Sequence, residues 1–332
     1  MIISQTPLRI SFVGGGTDMD SYYKVSPGMV ISTAIDKYIF VIVNQRYDDK
    51  IYINYMKKEI VDKVHEIKHD LVREAMIKTG LKRGVEITML ADIPSSGSGL
   101  GSSSSLTVGL LNAFYNFQGQ QVDASRLAIE ACQIEIDVLG NPIGKQDQYI
   151  AAFGGIKKFI FNTDDSVLIN SLKLSANDRI KLGSNILLHF TDITRKAGKI
   201  LGDQKSKSKD NFKSLNTIAA MVPTLEKEFE QKNWDSLGPL LLKNWELKRK
   251  LASGISLPEI EKMTKTALEN GSTGVKIAGA GGGGFLMSYT PREYQNKFRL
   301  AMQDYVELPF MLDPIGSRII FNMTRYNSNS GI

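Results

Sequence analysis

Two periods organise the apolar residues of this chain. Leu8, Ile10 and Phe12 alternate with polar neighbours as far as Gly14-Gly15-Gly16, and YIFVIV (38–43) is β-branched and aromatic, so both stretches read as strands. In VDKVHEIKHDLVREAMIKTG (61–80), Val61, Val64, Ile67, Leu71 and Ala75 fall at helical spacing, and Gly80 suits the position just past a helix end. VEITMLADI (85–93) returns to strand alternation. It runs into PSSGSGLGSSSS and then an apolar helix through Leu106, Leu110, Leu111, Phe114 and Phe117. Asp123 starts another helix, which ends near Gly140-Asn141-Pro142, and Gly154-Gly155 turns the chain into the strand IKKFIF (156–161).

Residues 164–182 are polar and read as a loop leading to a second unit. That unit holds the strand ILLHF (186–190), a lysine-bearing loop (205–213), long helices up to about 270, a strand–glycine–strand stretch (275–289), a helix and a last strand. The alternation of strands and helices without repeats predicts an α+β chain in two domains, 1–170 and 171–332, with the boundary near 165–180.

Composition narrows the function classes. The chain has 332 residues, 42% hydrophobic and 23% charged, which is ordinary for a soluble globular protein. A formal charge of +6 suits an acidic small-molecule partner or simply a soluble surface, and gives a nucleic-acid role little support. The longest clean apolar run, Ile39 to Val43, is far too short to span a membrane. The N-terminus lacks the basic and small-residue features of a signal peptide, so a cytoplasmic location is expected. Cys132 is the single cysteine, which excludes an internal disulfide or a multi-cysteine zinc site. The 29 glycines are clustered, and the clusters sit where chemistry is expected.

In the strand–glycine/serine–helix stretch, Gly97, Ser98, Gly99, Leu100, Gly101, Ser102, Ser103 and Ser104 form a phosphate cradle. Glycines turn backbone N–H groups inward, and the helix that follows presents its positive end. It is not a Walker A loop, because no Gly-Lys-Ser/Thr follows. A flexible linker is the bland alternative. KIAGAGGGGFLM (276–287) contains a formal G-x-G-x-x-G match, but a strand follows where a dinucleotide fold needs a helix. Those glycines instead suit a close approach of two backbones.

Glu135 and Asp147 flank a Gly/Pro loop. They can converge on a metal and a reacting hydroxyl, or serve as an exposed helix residue and an N-cap. Arg9, on the first strand, suits a phosphoryl oxygen, and Asp18 beyond the glycine turn suits sugar hydroxyls. A surface arginine and a turn aspartate are the alternatives. His65 and His69 complete H-E-x-x-H on the expected helix, a zinc-hydrolase pattern, although both lie off its apolar face.

Taken in order, PLRISFVGGGTD, PSSGSGLGSSSS and GVKIAGAGGGGF resemble the three motifs of the GHMP kinases, the family of galactokinase, homoserine, mevalonate and phosphomevalonate kinases. Within the family, GGGTDMDSYY, AIDKYIFV, GNPIGKQDQYIAAFGG and TDITRKA resemble the D-glycero-D-manno-heptose 7-phosphate kinases, with L-fucokinases as the nearest competitor.

The resemblance implies an N-terminal unit like the second domain of ribosomal protein S5, a ferredoxin-like C-terminal unit, and an active site between them. It implies ATP phosphates on the 97–105 loop, Mg²⁺ on Ser103 and Glu135, Asp147 at the acceptor hydroxyl and Arg9 near the transferred phosphate. The sugar would lie on Gly16, Thr17 and Asp18, and the glycines at 279–284 would support the nucleotide loop. The implied reaction phosphorylates the anomeric C1 hydroxyl of the heptose 7-phosphate to a 1,7-bisphosphate. Arg195 and Lys196 are candidates for its distal phosphate. Gly15-Gly16 stands where galactokinases carry Glu-His, which argues against galactose, and Asp192 stands where related sugar kinases more often have glycine.

Overall fold

The computed structural model describes residues 1–93, 97–193, 197–252 and 254–323. Strand β1 (Ile2–Val13) runs into the glycine turn and a short helix α1 (Asp20–Tyr23), and β2 (Gly28–Gln45) returns beside it. A hairpin of β3 (Ile51–Asn54) and β4 (Lys58–Val61) precedes helix α2 (Asp70–Thr79) and strand β5 (Val85–Ala91). Three helices follow: α3 (Ser102–Phe117), α4 (Ala124–Cys132), extended by a π-helical turn at Gln133–Val138, and α5 (Gln146–Phe153). The hairpin β6 (Ile156–Phe161) and β7 (Val167–Ser171) closes this half. The second half contains α6 (Ala176–Gly183), β8 (Ile186–Phe190), α7 (Ala197–Ser206), α8 (Phe212–Glu230), α9 (Leu237–Lys248) and α10 (Pro258–Glu269). It ends with β9 (Gly274–Ile277), β10 (Phe285–Tyr289), α11 (Gln295–Ala301) and β11 (Arg318–Asn322).

The first sheet has the order β11-β1-β2-β5-β3-β4. Strand β2 is long enough to pair with β5 through residues 39–45 and with β6 through residues 28–33, so one strand organises both halves of the sheet. Helices α2 to α5 cover it through apolar residues such as Val72, Leu111, Phe114 and Ile150. The second sheet is the antiparallel set β8-β10-β9. Between the two lies a continuous apolar layer in which Leu8, Ile10 and Phe12 of β1 join Val222 and Leu225 of α8 and Leu188, Met287 and Tyr289 of the small sheet. Each such fully buried side chain contributes about 1.5–3 kcal/mol, so the layer fixes the two halves against one another. The α+β expectation holds.

Four expectations are corrected. The helix read over 61–80 begins only at Asp70: Val61 ends β4, and Val64–Glu66 is a 3₁₀ turn. Glu59 accepts the Lys68 N–H at 2.7 Å and Glu66 accepts from the Asp62 and Lys63 N–H groups, so local bonds hold this backbone out of a helix. His65 and His69 therefore do not share a helical face, which removes the geometry a zinc hydrolase needs. The polar stretch 164–182 contains β7, hydrogen-bonded to β6, and α6, whose Asp178 N–H is capped by Ser175 Oγ at 3.1 Å. The lysine-bearing 205–213 stretch is mostly helix end and turn, with Lys205 in α7. The final strand does not join the second sheet either: β11 pairs with β1, Ile2 opposite Asn322. Among the described residues no helix is long and apolar enough to cross a membrane.

Candidate active site

A cavity of about 240 Å³ opens between the two halves, where the N-terminus of α3 meets the glycine turn after β1. Its floor is two interlocked glycine runs. Gly97, Gly99 and Gly101 all have positive φ, and a β-carbon on Gly99 would lie 2.6 Å from Ala278 O. On the other run, a β-carbon on Gly279 would lie 2.6 Å from Gly99 O, and one on Gly284 would overlap Ser98 O. Side chains at these positions would force the two loops apart. Gly101 stands at the α3 cap position without a side-chain cap, so the first N–H groups of the helix remain open toward the cavity. Ser102, Ser103 and Ser104 line that opening, and Ser98 Oγ lies 3.1 Å from Ser102 Oγ. Leu100 contributes backbone only. Its side chain is in the core, and its carbonyl accepts the Arg9 N–H at 3.0 Å.

Arg9 and Asp147 form a two-pronged pair. Arg9 Nε donates to Asp147 Oδ1 at 2.7 Å and Nη2 to Oδ2 at 2.6 Å, while Nη1 reaches Gly99 O at 2.6 Å. One guanidinium thus ties the carboxylate to the glycine/serine loop. Asp147 lies in the first turn of α5, with Lys145 at the cap position, so the N-cap alternative is not realised. Asp18 is almost fully buried and accepts the Gly16 N–H at 2.8 Å and the Gln146 N–H at 3.2 Å. Burial, reinforced by the charge of Asp147, pushes its carboxyl above the usual range, and these backbone donors oppose the shift.

Glu135 lies on the π-helical turn and is fully buried, not the exposed helix residue of the alternative reading. It accepts Ser103 Oγ at 2.5 Å and Gln148 Nε2 at 2.7 Å. Burial pushes its pKa up to about 7. Mg²⁺ is bound by one or two carboxylates together with substrate phosphates, so a lone carboxylate with a hydroxyl beside an anion-binding helix end fits that ion. Among the described residues no group of three or more His, Cys, Asp or Glu offers an all-protein metal cage.

Family profiles described as "GHMP kinases N terminal domain" and "GHMP kinases C terminal" match residues 58–155 and 225–308. The D-glycero-alpha-D-manno-heptose 7-phosphate kinase of Campylobacter jejuni is 33% identical, over 87% of this chain and 89% of that protein. The chain belongs to the GHMP kinase family. It is an ATP-dependent phosphotransferase of the kind that acts on sugars and related metabolites. The L-fucokinase/L-fucose-1-P guanylyltransferase of Bacteroides fragilis is 27% identical over 86% of the chain, which spans 34% of that longer protein. The fold matches the crystal structure of a D-glycero-D-manno-heptose 1-phosphate kinase from Bacteroides thetaiotaomicron with a TM-score of 0.82, 23% identity, and 98% of this chain and all of that one covered.

In this GHMP kinase the sequence-selected residues do not all face the cavity. Gly16 and Asp18 line it; Thr17 does not. Thr17 Oγ1 lies 2.8 Å from Gly14 O and 2.9 Å from Met29 O and accepts the Met29 N–H at 3.0 Å, so its hydroxyl is consumed in building the turn. Arg195 lies outside the described residues. Sequence reasoning missed Gln204, on α7, which is 2% exposed and approaches Gly16 at the cavity wall. It also missed two buried lysines, Lys248 and Lys276, which line the same cavity. Lys276 Nζ donates to Ser11 O at 2.8 Å and Phe12 O at 2.9 Å. Each lysine interrupts an apolar pattern: Lys248 the stripe Leu237, Leu241, Trp245 of α9, and Lys276 the wholly buried strand β9. A cation in a core stripe was the available signal.

Proposed function

We propose that this kinase transfers the γ-phosphoryl group of ATP to the anomeric C1 hydroxyl of D-glycero-D-manno-heptose 7-phosphate, giving the 1,7-bisphosphate. The observation that carries the chemistry is the Arg9–Asp147–Gly99 lock, which sets a carboxylate at the seam between the phosphate loop and the turn bearing Asp18. The sugar assignment draws on the 33% identity to a kinase named for that substrate.

Phosphoryl transfer depends on positioning and charge neutralisation more than on covalent chemistry. The open N–H groups of α3 and the 97–104 loop would hold the ATP phosphates, and Asp18 would take sugar hydroxyls. Asp147 would receive or orient the hydroxyl proton, while Arg9 keeps that carboxylate aimed and adds positive charge beside the transferred group. Ser103 and Glu135 would hold Mg²⁺, which supplies charge neutralisation at the phosphates. Arg195 and Lys196 are the candidates for the distal phosphate.

ADP release measured across heptose 7-phosphate, L-fucose, galactose and mevalonate tests the assignment, with phosphorus NMR of the product to locate the new ester. Heptose 7-phosphate is expected to give the highest kcat/KM. Equal or faster turnover of unphosphorylated L-fucose overturns the sugar assignment in favour of the fucokinase reading.

A further inference from the structure

Lys248 is the last residue of α9, and its side chain is 5% exposed. Its Nζ donates to Gly279 O, in the same loop whose backbone interlocks with Gly99. An ammonium carries three donors, and Gly279 O takes one. Among the described residues Lys248 has no carboxylate within ion-pair distance. The charged groups facing it are Arg9 from β1, Asp18 from the glycine turn, Asp147 from α5 and Lys276 from β9. Arg9 is bound to Asp147 by two hydrogen bonds, and Lys276 is occupied by two carbonyls of β1. Among the described residues Lys248 therefore keeps two donors open on the cavity wall against one for Lys276, and unlike Arg9 it is not tied to a carboxylate. A buried ammonium without a counter-charge is unfavourable unless an anion arrives.

We propose that Lys248 Nζ donates a hydrogen bond to a non-bridging oxygen of the transferring phosphoryl group. The proposal rests on the cavity being where ATP meets its acceptor, whichever sugar that is. A bond forms between the acceptor oxygen and the γ-phosphorus as the bond from that phosphorus to the β,γ-bridging oxygen breaks, its electron pair leaving with ADP. The acceptor proton passes toward Asp147, and Lys248 keeps its protons throughout. Burial, and after it the neighbouring Arg9 charge, lowers the Lys248 pKa to about 8 in the ligand-free protein, with Asp18 and Asp147 opposing the shift. The charged form is the useful one, so activity at low substrate falls as the pH rises through that value.

The test uses Lys248→Met and Lys248→Arg in the full chain. Calorimetry with ADP and with the non-hydrolysable analogue AMPPNP, both with Mg²⁺, reads the γ-phosphoryl contact without any acceptor. In Lys248→Met, AMPPNP affinity is expected to fall about tenfold or more while ADP affinity changes less than about twofold. Removing one preorganised donor typically lowers kcat about 10²–10³-fold, and that loss is expected at saturating ATP and acceptor. The basic limb of kcat/KM near pH 8 is expected to disappear in Lys248→Arg, whose guanidinium stays charged.

Equal weakening of ADP and AMPPNP would mean that Lys248 only braces Gly279, and would overturn the proposal. An unchanged AMPPNP-to-ADP ratio, or a basic limb retained in Lys248→Arg, would overturn it too. If Lys248→Met does not fold, the pH profile of Lys248→Arg decides. A wrong sugar assignment appears separately, as a wild-type enzyme that prefers another acceptor while the AMPPNP-to-ADP difference persists.

Discussion

Substituting Gly279 by alanine asks whether the second glycine run serves the first. A β-carbon there would meet Gly99 O at 2.6 Å and Gly99 Cα at 2.7 Å, where ordinary contact begins at 3.4 Å. Both neighbours are backbone, so no side chain can swing away, and the loops must separate by roughly 0.8 Å. Gly80, at the end of α2, supplies the control. Its φ is +73° against +66° at Gly279, and a β-carbon there meets nothing within 4 Å. Each substitution costs about 1–2 kcal/mol for the left-handed backbone alone. Overpacking adds about 1–3 kcal/mol at Gly279 only. Displacements near 1 Å can lower rates about 10²-fold, and the displaced segment is the loop proposed to hold the ATP phosphates. Urea unfolding midpoints together with kcat/KM for ATP measure both effects. Gly279→Ala is expected to be the less stable variant and to lose about ten- to a hundredfold in kcat/KM for ATP, with Gly80→Ala unchanged in activity. Equal destabilisation by the two, with activity unaffected in both, would refute the account of the interlocked loops.

Asp147→Asn is expected to lower kcat about 10²–10⁴-fold with ADP affinity retained; an active variant in the ADP-release assay removes Asp147 from the proton path. Glu135 has a folded pKa of about 7, raised from 4.5 by burial. The stabilisation of its neutral form is complete below pH 4.5 and is lost as the pH rises through 7. Melting temperatures of metal- and nucleotide-free protein between pH 5 and pH 8 should therefore fall more in the wild type than in Glu135→Gln. Superimposable pH profiles would contradict the buried carboxyl. His65→Ala is expected to leave kcat unchanged and the purified enzyme free of stoichiometric zinc, because His65 is exposed and shares no helix face with His69; metal analysis and the ADP-release assay check both.

The residues that the sequence alone revealed are those whose role is carried by the backbone or by a short local order. Glycines at 97, 99, 101 and 279–284 announce left-handed backbone and close approach, because the missing β-carbon is a property of the residue itself. Arg9, Glu135 and Asp147 were legible as members of a motif series, although their residue types alone left bland alternatives open. Tertiary structure decided whatever depends on which surface meets which. Val61, Val64 and Ile67 have helical spacing, yet local hydrogen bonds from Glu59 and Glu66 keep them in a strand and a 3₁₀ turn. Thr17 sits in the right motif, but its hydroxyl is used within the turn. The pairing of β11 with β1 joins residues more than 300 positions apart, which no local pattern encodes. Lys248 and Lys276 left only a cation inside an apolar pattern as a local sign, and nothing in the sequence placed them in the site. A lysine becomes a buried cation in a site only when packing brings α9 and β9 against the turn and loop of the other half, and burial then sets its charge and its open donors.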